Sequence, residues 1–338
     1  MAVLGDVAKL AGVSLATASR VLNGSSNRVV GPELTKRVME AAQTLHYTPN
    51  TAAQAMARGR SNVIALIVGA IADPYFSTIA SGVAHEARQH GHVVTIAETD
   101  GSDETSLAVV TSAVSQRARA LLIAGGSTLP TPQLHQALAS FRSATGSPVL
   151  TIGATDLPGI NGVGIADRRG AGDLATRLLA LGYRRFAVMT GPSQLRASRE
   201  RAAGFTEAVA TGGGTVETTV EEDFNRGGGH RGMQALLSRS PRPEVVFATA
   251  DVMAVGAMTA ARQAGLGVPE DIAICGFDDI PTLADITPSL TTVHIDLEEL
   301  GRSAVRLALD PDHGEPPLFA AEVTIRDSTP PLTRARPV

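Results

Sequence analysis

Carboxylates, aromatic rings and glycines recur in six short stretches of this sequence, each directly after an apolar run. These are Asp73-Pro74-Tyr75-Phe76, Gly125-Gly126-Ser127, Gly191-Pro192-Ser193, Asp223-Phe224-Asn225, Asp251 and Asp278-Asp279. Carboxylates accept hydrogen bonds from hydroxyl and N–H groups, and flat rings pack on the apolar face of a sugar or base. Any one stretch could be a plain turn. Six in equivalent places read as the rim of a small-molecule site, because open α/β sheets bind ligands beyond the carboxyl ends of their strands. A second set lies near the N-terminus. Leu15, Ala16, Thr17, Ser19 and Arg20 share the outward face of a short helical stretch, with Arg20 its only charge and hydroxyls that suit phosphates.

Other chemistries lack their residues. His90-Gly91-His92 has a metal-like spacing, but no Cys or carboxylate completes a set, and a solvated turn is expected. The single cysteine, Cys275, lies in an apolar strand and supports neither a disulfide framework nor a Cys-based zinc site. There is no Walker loop, no G-x-S-x-G and no G-x-G-x-x-G between a strand and a helix. Gly212-Gly213-Gly214 and Gly227-Gly228-Gly229 read as flexible turns, the second beside the ligand site. No catalytic constellation, metal or cofactor is expected.

These residues must be held by elements, and 338 residues suffice for about two domains. The 43% hydrophobic and 18% charged content is that of a globular chain. No apolar run reaches the roughly 18 residues of a membrane span. Asp6 and Lys9 interrupt the apolar start, so no export leader is visible and the cytoplasm is the expected compartment. Residues 1–60 carry seven basic and three acidic side chains, a net +4, whereas the remainder carries −8. That asymmetry suits a head that meets a polyanion and a body that does not.

The head reads as helices. Leu4 to Ala11 forms one with Val7, Ala8 and Leu10 inward, Gly12-Val13 turns, and Ser14 caps a second over 15–22. Pro32 starts a third that runs to about Leu45. Two short helices joined by a glycine turn form a helix-turn-helix, whose second helix can enter the major groove. Beyond residue 60, apolar runs at 63–71, 93–97, 120–124 and 148–152 alternate with helix-period segments. The alternation restarts at 162–166, 186–190, 216–220, 245–249 and 272–276. Continuous apolar strands between helices predict parallel sheets covered on both faces. Two such sets predict a bilobed body of two doubly wound subdomains with a cleft between them.

At this point the sequence resembles a known family. The run from Leu4-Gly5-Asp6-Val7-Ala8 through Ala11-Gly12-Val13-Ser14-Leu15-Ala16-Thr17-Ala18-Ser19-Arg20-Val21-Leu22-Asn23-Gly24 is similar to the N-terminal signature of LacI/GalR (lactose-repressor-type) transcription regulators. Tyr47-Thr48-Pro49-Asn50 followed by Ala52 to Ala57 resembles the family hinge. Asp73-Pro74-Tyr75-Phe76, Arg199 to Phe205, Asp251-Val252-Met253-Ala254, Gly276-Phe277-Asp278-Asp279 and Leu290-Thr291-Thr292-Val293 follow in family order.

The resemblance implies an all-α helix-turn-helix head (1–47), a hinge (48–60) and an α/β effector and dimerisation body (61–338) like a periplasmic binding protein. Within that body the N-subdomain is expected at about 61–161 plus 293–320, and the C-subdomain at 162–292 plus 321–338. It implies a homodimeric repressor of carbohydrate or related genes that binds double-stranded, pseudo-palindromic operator DNA and a small-molecule effector (sugar, glycoside or nucleoside), with no membrane partner. A solute-binding receptor and a nucleoside- or purine-responsive regulator are the alternatives. Leu15, Ala16 and Arg20 would face base edges, with Arg20 suited to guanine. Ser14, Thr17, Ser19 and Asn23 would hold phosphates. Asn50, Ala53 and Met56 belong to the hinge, which is too short to persist as an isolated helix and would order as two copies on DNA, Met56 wedging a base step. Arg201 and Asp278 would bind the effector, with Asp73, Tyr75, Phe76, Phe224 and Asp251 around them. Three departures stand out, Gly153, Ala250 and Ile295, where sugar-binding relatives often carry Asp, Asn and Gln. They predict less polar reach and more volume, hence a ligand larger or less uniformly polar than a hexose. Val3 replaces a hydroxyl residue, and 24–31 is about two residues longer than in the lactose repressor.

Overall fold

The computed structural model describes residues 2–23, 30–48, 60–99, 102–125, 131–153, 157, 159–310 and 316–332. Contacts divide the chain into two compact units, Met1–Asn62 and Val63–Val338.

The first unit is three helices. In α1 (Leu4–Ala11) the Asp6 carboxylate turns back to accept the Val3 N–H at 2.9 Å, satisfying one of the first-turn donors. Val7, Ala8 and Ala11 are buried, and Leu10 is 55% exposed, so the inward face runs one position later than the expected Val7, Ala8 and Leu10. The spacing 7, 8, 11 is the helical one, and α3 packs against that stripe. Gly12 ends α1 at φ 64°, and Ser14 Oγ accepts the Thr17 N–H at 3.1 Å to cap α2 (Leu15–Asn23). Pro32 opens α3 (Pro32–Thr44), whose Arg37 donates from Nη2 to the Ala11 carbonyl at 2.5 Å. A Cβ on Gly12 would stand 2.6 Å from that same Nη2, so the turn needs glycine for space as well as for its left-handed backbone.

The second unit holds two parallel sheets. Its elements run β1 (Val63–Val68), α4 (Pro74–Gln89), β2 (Val93–Glu98), α5 (Asp103–Ser115), β3 (Ala120–Ala124), α6 (Pro132–Thr145), β4 (Val149–Ile152) and β5 (Gly162–Ile165). Next come α7 (Asp167–Ala180), β6 (Arg185–Thr190), α8 (Arg196–Thr211), β7 (Thr215–Glu221), α9 (Arg226–Leu237), β8 (Val245–Ala248), α10 (Asp251–Gln263) and β9 (Ala273–Cys275). The chain ends with β10 (Thr292–His294), α11 (Leu297–Leu309), β11 (Leu318–Phe319) and β12 (Glu322–Thr324). The first sheet has the order β11-β5-β4-β3-β1-β2 and the second β7-β6-β8-β9, while β10 and β12 pair antiparallel. Strands β1, β3, β4, β6, β8 and β9 are almost wholly buried, as continuous apolar runs require.

One boundary differs from the expected one. The strand at 162–165, expected to open the second subdomain, pairs parallel with β4 and belongs to the first sheet. No helix lies between β4 and this strand among the described residues. Gly162 allows the close approach, since a Cβ there would sit 2.1 Å from the Thr151 carbonyl.

Candidate functional site

In each sheet the first strand is flanked by the second and third, so the connections leave in opposite directions and open a crevice at the carboxyl ends. In the first sheet that switch lies between β1 and β3, in the second between β6 and β8. A cavity of about 20 Å³, room for one water, is lined from both. Asp73, Tyr75 and Phe76 follow β1 and Gly125 follows β3, and from the other side come Ala197, Arg201, Phe224, Ala250, Val252 and Asp278. Of the seven expected ligand residues, six line this cavity. The seventh, Asp251, does not.

Arg201 is its centre. It lies on α8 and is 2% exposed. Nε donates to Asp167 Oδ1 at 2.7 Å and Nη1 to the Thr249 carbonyl at 2.9 Å, and the guanidinium carbon lies 3.9 Å above the centre of the Phe277 ring. Nη1 is also 2.8 Å from Asp278 Oδ1, off the hydrogen-bond direction, so that contact is purely electrostatic. Burial alone would lower the Arg201 pKa, but Asp278 and Asp167 carry it above the ordinary value and the group stays charged. Burial likewise pushes Asp278 well above the usual carboxylate range. Arg201 opposes that rise, and Asp251, Asp73 and Asp167 add to it. Asp167 is raised by burial against the pull of Arg201.

Asp278 is aimed by its backbone. It takes φ 122° and Asp279 φ 56°, two consecutive left-handed non-glycine residues beside β10, to whose Val293 carbonyl the Asp278 N–H donates at 3.0 Å. Asp279 anchors the turn, with Oδ1 2.7 Å from Arg326 Nη2 and Oδ2 2.9 Å from His294 Nδ1.

Asp73 caps α4, its Oδ1 accepting the Tyr75 N–H at 2.9 Å, and burial raises its pKa against that bond. The Tyr75 phenol is raised by burial and by Asp278, which keeps it a neutral donor. Its ring meets Phe76 edge-on at 5.1 Å. Phe224 packs directly on Gly191, where a Cβ would sit 2.2 Å from the ring.

Asp251 is instead a scaffold group. It is fully buried, with Oδ1 accepting from Thr292 Oγ1 at 2.6 Å and Oδ2 from the Ile280 N–H at 3.1 Å. Burial pushes its pKa up to about 7, against those two bonds. It ties α10 to the crossover beside β10. The expected gain of volume at Gly153 is also corrected. Its φ is 83°, and a Cβ there would stand 3.0 Å from the Tyr75 hydroxyl, which fills the space. Ala250 lines the cavity without a polar group, and Ile295 is 2% exposed and not among the lining residues. Sequence reasoning missed Asp167, Thr249 and Phe277. Asp167 carried a signal, since it too follows a strand of the first sheet, two residues beyond β5.

On the head, Leu15 (56% exposed), Ala16 and Ser14 face outward, and Thr17, Ser19 and Arg20 are half-buried beside them. Ser14 Oγ is already engaged with Thr17. The Asn23 side chain, Asn50, Ala53 and Met56 lie outside the described residues. His90 Nε2 is 3.3 Å from Glu86 Oε1, and the described residues hold no group of three metal-ligating side chains. No helix of the described residues is long and apolar enough to cross a membrane.

Known proteins share both units. Residues 3–50 match the model for bacterial regulatory proteins of the lacI family, and residues 175–329 that for the periplasmic binding protein-like domain. The chain is 32% identical over 309 residues to the ribose operon repressor of Escherichia coli (strain K12), covering 90% of this chain and 91% of that protein. It is 32% identical over 313 residues to the HTH-type transcriptional repressor PurR of Escherichia coli O1:K1 / APEC, covering 92% and 90%. A solved lac repressor dimer bound to operator and the anti-inducer ONPF matches with a TM-score of 0.83 at 28% identity, over 97% of this chain and 99% of that one.

Proposed function

The chain belongs to the lacI family of bacterial regulatory proteins, a ligand-responsive repressor that binds operator DNA as a dimer and is not an enzyme, and from that premise we propose its effector class and working residues. Its effector is a pentose or a pentosyl compound such as a nucleoside. The observation that carries this is Arg201, held rigid between Asp167 and the Thr249 carbonyl at the crevice of both sheets. A fixed guanidinium with Asp278 beside it offers a donor and an acceptor to vicinal hydroxyls. Tyr75, Phe76 and Phe224 supply apolar walls for a ring face. Because Tyr75 fills the space beside Gly153, a compact ligand suits the cleft better than an oligosaccharide. One relative is a ribose operon repressor, and that name agrees with a ligand of this kind.

On DNA, Arg20, Leu15 and Ala16 read base edges, Ser14, Thr17, Ser19 and Asn23 hold phosphates, and residues 48–60 form the hinge, with Asn50, Ala53 and Met56 at the minor groove. The effector changes operator affinity by its differential affinity for two arrangements of the lobes. Operator DNA as partner puts the protein in the cytoplasm.

The test is calorimetric titration of the full chain with D-ribose, adenosine and cellobiose, followed by fluorescence anisotropy of a labelled operator. Ribose or adenosine should bind and shift operator affinity. Asp278→Asn and Arg201→Met should each weaken that binding at least about tenfold, the cost of one lost charge-assisted hydrogen bond. Binding of cellobiose alone, or undiminished binding in both variants, would overturn the assignment.

A further inference from the structure

We propose, resting on the reading of this cleft as the effector site, that the cleft admits its ligand only in unphosphorylated form and rejects the phosphate ester of the same compound.

The charge inventory carries the argument. The charged side chains lining the cavity are Asp73, Asp278 and Arg201. Arg201 is already engaged, with Asp167 at 2.7 Å on Nε and Asp278 at 2.8 Å on Nη1, so two carboxylates flank the one guanidinium and Asp73 adds a third to the cavity lining. No lysine, histidine or second arginine is among the described lining residues.

Most backbone donors beside the cavity give no alternative. Helix N-termini are the usual phosphate cradles, since their first N–H groups are free and the dipole favours an anion. Here α4 is capped by Asp73, whose carboxylate takes the Tyr75 N–H, and Pro74 at its first position has no N–H. Helix α7 opens on Asp167 and α10 on Asp251, both buried carboxylates. Helix α8 is the exception: it begins without a side-chain cap or an acid and its Ala197 lines the cavity, while Arg196 is exposed and not a lining residue.

The cavity also presents a carboxylate acceptor. Asp278, 4% exposed, lines it, and its Oδ1 takes no hydrogen bond but is held electrostatically by Arg201 Nη1 at 2.8 Å. A ligand hydroxyl or N–H can donate to this carboxylate. A phosphate monoester carries about −1.5 to −2 charge at pH 7 and three acceptor oxygens, so it adds repulsion and little donation.

The experiment is isothermal titration of the full chain at pH 7.5 with matched pairs: D-ribose and D-ribose 5-phosphate, adenosine and adenosine 5′-monophosphate, D-glucose and D-glucose 6-phosphate. For whichever parent compound binds, the ester should bind about a hundredfold more weakly, the effect of one unit repulsion at about 6 Å in an effective dielectric of about 20. Asp73→Asn keeps a side chain that caps helices equally well, and it should narrow that gap several-fold. An ester binding as tightly as its parent, with the loss in Asp278→Asn retained, overturns the charge argument and leaves the effector site in place. Silence of every pair, together with no change in operator affinity, overturns the reading of the cleft and this inference with it.

Discussion

Replacing Asp251 by asparagine tests whether this carboxylate is scaffold or ligand contact. Its folded-state pKa is about 7 against 3.8 in the unfolded chain, raised chiefly by burial. A carboxyl whose pKa rises on folding binds more protons folded than unfolded. Its contribution is therefore greatest below the unfolded value, is lost as pH rises from 3.8 to about 7, and is flat above. At 1.36 kcal/mol per pKa unit the full loss is about 4 kcal/mol, of which about 3 falls between pH 5 and 8. Asparagine is nearly isosteric, which matters because the Oδ1 side faces Gly276 too closely for any added atom. Its oxygen can accept the Ile280 N–H, and its NH₂ can donate to Thr292 Oγ1 once that hydroxyl rotates. The variant should keep both contacts and shed the titration. Urea unfolding at pH 5 and pH 8 measures the difference between variant and parent at each pH. That difference should shift in favour of Asp251→Asn by about 3 kcal/mol between the two, or by about 6 °C in melting temperature. A constant difference across the range would mean that Asp251 titrates normally and that its burial has been misjudged.

Three further outcomes are expected. Arg20→Ala should weaken operator binding by about 1–3 kcal/mol and relax preference at one base pair, as selection on randomised half-sites would show. Arg37→Ala removes the donor on the Ala11 carbonyl and should lower the stability of the helical head by about 1.5–3 kcal/mol, followed by circular dichroism melts of residues 1–62. Gly153→Ala forces a Cβ to 3.0 Å from the Tyr75 hydroxyl at φ 83°. It should cost about 1–2 kcal/mol in unfolding free energy and weaken effector binding in the same preparation, whereas Tyr75→Phe should relieve the contact.

Much of this molecule is written locally. Gly12, the Ser14 cap and Pro32 mark the helix boundaries of the head because each acts on backbone groups within a turn of itself. The apolar runs from Val63 to Cys275 specify parallel strands, and the polar residues just past them must fall at the carboxyl ends, where the cleft forms. Which of those residues meet is a different matter. Arg201 and Asp167 lie 34 residues apart, and their 2.7 Å contact exists only because α7 and α8 pack together. Asp251 follows a strand as Asp278 does, yet Thr292 of β10 and the Ile280 N–H from the connection before it occupy both its oxygens. Gly153 leaves a space in sequence that Tyr75, brought from α4, fills in the fold. Leu10 faces solvent because the packing of α3 selects the 7, 8, 11 stripe. Periodicity and turn chemistry are short-range and depend on each residue's own backbone. Cavity volume, charge pairing and a carboxylate's role depend on which side chain arrives from a distant element, and only tertiary packing decides that.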